Sequence, residues 1–307
     1  MSKLITVFGA TGNQGGSVIK AVLAHPTLSK EFKIRGITRD PSKPSAQELA
    51  NQGVEIMSAD MSSLSSLAPA LADAHTVFLV TNFWESAKPE VEYSQGKNVA
   101  DAAKSAGVSH FIFSSLVNVT DVTQGRLPNL GHFDSKANVE KYVRSIGLPA
   151  TFVLPGYFMS NFEKMLQKGE DGVFTLSLPV SENAQFPLFD AAGDTGKYVT
   201  AAMKKFPETL GKDIYEATDY YTPGRIVSEF TEVTGYPAKE VQITPEQYKS
   251  FMPPFAAQEF LENHQLLEGP GYYGGASLGE SLAILEQKPT SWKEYVEREK
   301  SRAWKAC

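Results

Sequence analysis

Short apolar runs alternate with longer segments of helical spacing through the first half of the chain. Leu4-Ile5-Thr6-Val7-Phe8 opens the pattern as an apolar run rich in β-branched residues, and Val18, Ile19, Val22 and Leu23 follow at the spacing of one helical face. Further strands are expected at 33–38, 54–57, 77–80, 111–113 and 151–154, and helices at 45–52, 62–71, 90–106 and 135–146. Such alternation predicts an α/β fold with a Rossmann-type doubly wound parallel sheet, and apolar strands predict burial on both faces. After Pro155 the rhythm gives way to aromatics, prolines and glycine-rich turns such as Gly269-Pro270-Gly271. Residues 1–154 are therefore expected to form one domain, with a return to its sheet around 186–218. Residues 155–307 are expected to form a smaller, interleaved α/β lobe.

The first strand-to-helix junction carries the sharpest chemical signal. Gly9-Ala10-Thr11-Gly12-Asn13-Gln14-Gly15-Gly16 has the spacing G-x-x-G-x-x-G. Glycines at such a junction permit a tight turn and let the backbone approach a pyrophosphate, whose charge is favoured by the N–H groups and positive dipole end of the helix. Gly9, Thr11, Gly12, Asn13, Gln14 and Gly15 are the candidate cofactor contacts of this turn. A glycine-rich turn without a ligand is the alternative, and the strand-turn-helix context weighs against it.

Folds of this class take ligands outside the carboxyl ends of their strands. The second strand ends in Thr38-Arg39-Asp40-Pro41-Ser42-Lys43. An acidic residue there accepts from ribose hydroxyls and suits NAD, whereas an arginine makes charge-assisted bonds to a 2′-phosphate. Arg39 and Lys43 favour NADP(H); Asp40 is either an acidic reader or, ahead of Pro41, a turn residue. Asp60, beside Met61, follows the third strand, where a carboxylate meets an adenine amino group or caps a helix. Thr81 and Asn82 end the fourth strand, in reach of a ribose-phosphate, and Phe83-Trp84 either wall a pocket or pack.

A net charge of −6 supplies no basic footprint, so direct nucleic-acid binding is not expected. The one cysteine, Cys307, allows no intrachain disulfide and stands at a terminus, a poor place for a catalytic thiol. No apolar stretch approaches the ~18 residues of a membrane span, and the first run is too short for a signal-peptide core. The expected location is the cytoplasm, with nuclear traffic open.

Several of these motifs occur together and in order. Gly9 to Gly16, Thr38 to Lys43, Val80-Thr81-Asn82-Phe83-Trp84-Glu85, His132-Phe133-Asp134-Ser135-Lys136 and Leu154-Pro155-Gly156-Tyr157-Phe158 together resemble the NmrA-like group of atypical short-chain dehydrogenases. Within it they are most similar to the HSCARG-type branch of NADPH-sensor relatives. The likeness extends through Ile243 to Tyr248 and the Trp292 segment. It implies an NADP(H)-binding Rossmann domain, a cleft facing a substrate-side lobe, and members that are enzymes as well as members that sense the nucleotide. Expected partners are a small-molecule substrate or a regulatory protein, with a homodimer as an open assembly state and no membrane.

Chemistry turns on Ser115, His132 and Lys136. Ordinary short-chain dehydrogenases use a Tyr-x-x-x-Lys pair, whose spacing puts both side chains on one helical face while the lysine lowers the phenol's pKa. Here His132 stands in the tyrosine's place. Imidazole, with an unperturbed pKa near 6.5, can still act as acid or base, and a structural histidine is the alternative. Lys136 either holds the nicotinamide ribose and stabilises charge on a substrate oxygen or only anchors a cofactor. Ser115, at the mouth of the fifth strand, is a candidate to orient nicotinamide or substrate. The resemblance passes the segment after the sixth strand along the nicotinamide, which makes Tyr157 and Phe158 candidates. Met159, Phe162, Phe186, Phe189, Tyr272 and Tyr273 line an apolar cleft or fill a core. The two readings are an NADPH-dependent oxidoreductase acting on a small metabolite and a non-catalytic NADPH/NADP redox sensor that regulates a protein.

Overall fold

A computed structural model describes residues 2–304; Cys307 lies outside the described residues. The first six strands are β1 (Lys3–Val7), β2 (Phe32–Thr38), β3 (Glu55–Ser58), β4 (Thr76–Leu79), β5 (His110–Ser114) and β6 (Ala150–Pro155). With a later strand, β11 (Asp213–Glu216), they form a seven-stranded sheet in the order β3-β2-β1-β4-β5-β6-β11. Its pairings are all parallel, with Val7 beside both Gly36 and Phe78. The winding direction reverses between β1 and β4, which places a ligand-binding crevice at the carboxyl ends of those two strands.

Alternation along each strand feeds two cores. Val77 and Leu79 pack on one face with Val99 and Ala100 of the Pro89–Ser105 helix and Val139 and Val143 of the Gly131–Ser145 helix. Phe78, between them, packs on the other face with Val18 and Ile19 of the Asn13–Ala24 helix and Tyr198 and Val199 of the Ala191–Lys204 helix. This is the doubly wound α/β arrangement. The described residues hold no helix long and apolar enough to cross a membrane.

The second half departs from a simple return to the sheet. Two short sheets are added: β7 (Tyr157–Phe158), β10 (Phe186–Phe189) and β12 (Asp219–Tyr221) form one, and β8 (Leu166–Lys168), β9 (Phe174–Leu178) and β13 (Ala238–Gln242) the other. Within 186–218, only β11 joins the large sheet. β10 instead pairs parallel with β7 and antiparallel with β12. The cause is local, because the chain leaves the large sheet at Gly156, where a Cβ would sit 2.3 Å from Pro187 O. Glycine there lets the backbone of β10 approach.

Candidate functional site

The site begins at the turn after β1. Phe8 N donates to Phe78 O over 2.9 Å and Gly12 N to Gly9 O over 2.9 Å, which folds the chain tightly into the Asn13–Ala24 helix. Gly9 has φ +66°, and a Cβ on Gly15 would lie 2.2 Å from Gly9 O. Both positions therefore require glycine. No side chain caps this helix, and the amides of Asn13, Gln14 and Gly15 have no backbone partner among the described residues. A helix end left in this state presents N–H donors to an anion. Ser114, at the end of β5, braces the turn by donating to Gln14 Oε1 over 2.8 Å.

These amides open on a cavity of about 630 Å³ along the strand ends, within the range of small-molecule sites. Every cofactor candidate taken from the sequence, from Gly9 to Phe158, lines it, as do His132 and Lys136. Ser115 does not line it. It is fully buried, and the serine that touches the glycine turn is its neighbour, Ser114.

At the β2 end of the cavity, Arg39 Nη1 is ion-paired to Glu85, which lies in the short Phe83–Glu85 turn after β4. Lys43 is exposed beside it. The Asp40 carboxylate accepts from the Ser42 amide at 3.0 Å and the Ser42 hydroxyl at 2.6 Å, and these bonds hold its pKa below the usual value. Asp40 is thus engaged in its own turn. Asp60 likewise accepts from the Ser62 amide at 2.8 Å, and Asn98 Nδ2 fixes the Met61 carbonyl at 3.0 Å.

The opposite end is built on a buried ion pair that the sequence reading missed. Lys136 Nζ pairs with Glu92 and donates to Thr81 Oγ1 at 3.0 Å; Thr81 Oγ1 donates to Glu92 Oε1 at 2.7 Å, and the Ser135 hydroxyl donates to the other carboxylate oxygen. Burial pulls the Lys136 pKa down, and Glu92 opposes that shift. The ammonium is therefore held at a fixed point beside Thr81, on the rim of the cavity.

His132 occupies the first turn of the Gly131–Ser145 helix, four residues before Lys136. Its backbone N–H donates to Glu259 Oε1 at 2.8 Å, and Nδ1 lies 2.6 Å from the same oxygen. A carboxylate only accepts, so Nδ1 carries a proton and Nε2 is left for other partners. Glu259 belongs to the Ala257–Gln265 helix, which also holds the Asn129 amide through Glu262 at 2.7 Å. Phe260 of that helix stacks on Trp84, with centroids 4.9 Å apart and an interplanar angle of 17°. Asn263 lines the cavity too, and its buried Oδ1 has no hydrogen-bond partner among the described residues.

Aromatic side chains close the remaining wall. Tyr157, whose pKa burial pushes up, has its hydroxyl 3.2 Å from His264 Nε2, and Tyr272 lines the cavity edge-on to Phe133. Met159, Phe162, Phe186 and Phe189 are fully buried and do not line the cavity. Of the open alternatives for those four, the core is what the structure shows.

The NmrA-like family model matches residues 1–296. The chain is 30% identical to ptmS, an NmrA-like family domain-containing oxidoreductase of Penicillium ochrochloron, over 98% of this chain and 96% of that protein. Among solved structures it resembles Nmra, a negative transcriptional regulator, in complex with NADP, with a TM-score of 0.82, 24% identity, and coverage of 96% of this chain and 94% of that one. It also resembles Citrobacter triphenylmethane reductase complexed with NADP(H), with a TM-score of 0.78, 22% identity, and coverage of 96% and 99%.

Proposed function

Because the chain belongs to the NmrA-like family, we propose that it is an NADP(H)-binding oxidoreductase that reduces a small, partly aromatic or enone-like metabolite. One observation carries this reading. A single cavity joins an uncapped, glycine-built helix end, the cations Arg39 and Lys43, and the Lys136–His132 pair under an aromatic wall.

The donor set fits a dinucleotide phosphate. The amides of Asn13 to Gly15 would hold the pyrophosphate and Arg39 with Lys43 the 2′-phosphate, while Thr81, Asn82, Tyr157 and Phe158 would flank the ribose and nicotinamide. Bound nicotinamide supplies the hydride. Lys136, fixed by Glu92, orients a ribose hydroxyl and stabilises negative charge on a substrate oxygen. His132 moves the proton at Nε2, because Glu259 occupies Nδ1–H and stabilises the imidazolium. Residues 1–154, completed by the Ala191–Lys204 helix and β11, form the nucleotide-binding domain in this reading, and the remainder forms the substrate-side lobe.

The test is loss of NADPH absorbance across a panel of aromatic aldehydes, quinones and enones. We expect turnover that falls on the order of 10²-fold in Lys136→Ala. A panel with no turnover at saturating NADPH contradicts the enzymatic reading.

A second reading rests on the histidine at position 132 and on the Glu259 bonds that tie it to a helix over the cleft. In it the protein senses NADP(H) and signals to a protein partner. The nucleotide must then favour one conformation over another, since equal affinity shifts nothing. Light scattering with and without NADPH tests this; an unchanged mass and an unchanged partner set speak against it.

A further inference from the structure

The Arg39–Glu85 ion pair spans the mouth of the cavity, from the end of β2 to the turn after β4. Both side chains are partly exposed, and Glu85 is the acid paired with Arg39. Arg39, with Lys43, is a cation proposed above for the 2′-phosphate; Glu85 takes its Nη1, so a phosphate bound through Nε and Nη2 must share the guanidinium with that carboxylate. A phosphate arriving at Arg39 would stand within a few ångströms of the Glu85 carboxylate. Like charges so close repel, and the repulsion is weakened but not abolished by water and salt.

The residue before Glu85 extends the consequence. Trp84 shares the Phe83–Glu85 turn and lies against Phe260 on one side and His132, at 5.2 Å, on another. Phe260 sits one residue from Glu259, which holds His132. One three-residue turn therefore contacts the adenosine end of the cavity through Glu85 and the helix over its other end through Trp84.

We propose that Glu85 is an internal rival of the 2′-phosphate for Arg39, so that NADP(H), but not NAD(H), frees the Phe83–Glu85 turn and loosens the Trp84–Phe260 stack. This rests on the NADP(H) reading given above. Glu85 thereby limits the cofactor discrimination that Arg39 creates: it lowers affinity for the phosphorylated nucleotide and leaves the unphosphorylated one nearly untouched. The turn then reports which nucleotide is bound to the face where substrate enters.

Calorimetric titration with 2′,5′-ADP and with 5′-ADP isolates the adenosine end. Glu85→Gln should tighten 2′,5′-ADP roughly three- to ten-fold and change 5′-ADP less than about two-fold, as expected for removing one exposed rival charge. Arg39→Ala should remove most of the discrimination between the two, leaving what Lys43 supplies. Trp84 is also the exposed tryptophan, since Trp292 and Trp304 are buried. Its quenching by acrylamide should rise with 2′,5′-ADP, stay level with 5′-ADP, and already be raised in unliganded Glu85→Gln. If Arg39→Ala removes most of the discrimination while Glu85→Gln leaves 2′,5′-ADP unchanged, weakens it, or tightens both ligands alike, the rivalry is refuted and the NADP(H) reading stands. If tightening occurs without the quenching change, the link to Trp84 is refuted. If wild type does not discriminate, or Arg39→Ala has no effect, the NADP(H) reading itself falls.

Discussion

Lys136 gets its position from Glu92, which lies 44 residues away in sequence. Removing that carboxylate leaves a buried ammonium without its counter-charge. Glu92→Ala should therefore cost about 3–5 kcal/mol in urea unfolding, and the double variant Glu92→Ala/Lys136→Met distinctly less. Equal losses in the two variants would show that the cavity left behind, and not the stranded charge, sets the cost. Glu85 and Glu259 lie 46 and 127 residues from Arg39 and His132. Such distances explain why the basic members of these pairs were legible in the sequence and their acidic partners were not. The glycine turn and the strand-end cations are local motifs, whereas a partner carried on another element leaves no mark on local spacing. Glu92 did leave one trace: it shares a buried face with Gly96, Val99 and Ala103, and an acid on such a face calls for a buried partner.

The elements that hold the site differ in how plainly they were written. The first six strands were legible to within about two residues, mostly because apolar runs are the signature of a sheet covered on both faces, although β3 at the sheet edge leaves Glu55 and Ser58 exposed. The short strands of the two added sheets, most of them without such runs, were not read. The Gly131–Ser145 helix begins four residues before the expected start at 135, and that difference puts His132 on a helix. Leu130 at its N-cap offers no side-chain bond, so no local signal marks the start. The orphan N–H of His132 is satisfied from the Ala257–Gln265 helix by Glu259 instead. Glu259→Ala should remove two charge-assisted bonds, weaken stability by about 1–3 kcal/mol and speed amide exchange in Ala257–Gln265. Unchanged exchange in that helix would mean that the contact does not hold it over the cleft.

On the scale of the whole molecule, the two faces of the sheet carry different chemistry. The face packed on the Ala191–Lys204 helix buries Glu216, whose two carboxylate oxygens have no hydrogen-bond partner among the described residues. Burial, reinforced by the charge of Asp194, raises its pKa well above the ordinary 4.5. The folded state thus keeps a proton that the unfolded chain releases, so stability is greatest below about pH 4.5 for this group and declines as pH rises toward the folded value. Glu216→Gln should remove that decline, so its melting temperature should gain on wild type as pH rises above about 4.5. Parallel profiles would show that Glu216 is solvated or paired in solution. The other organising feature is the crevice at the β1–β4 reversal, where the cofactor reading places the nucleotide. It is tested most directly by comparing NADPH and NADH dissociation constants for wild type and Arg39→Ala. Wild type should bind NADPH more tightly than NADH by roughly ten-fold or more, in line with a charge-assisted phosphate contact, and the variant should lose most of that preference while its NADH affinity is unchanged. A wild type that prefers NADH, or an Arg39→Ala variant that binds NADPH as tightly as wild type, would contradict it.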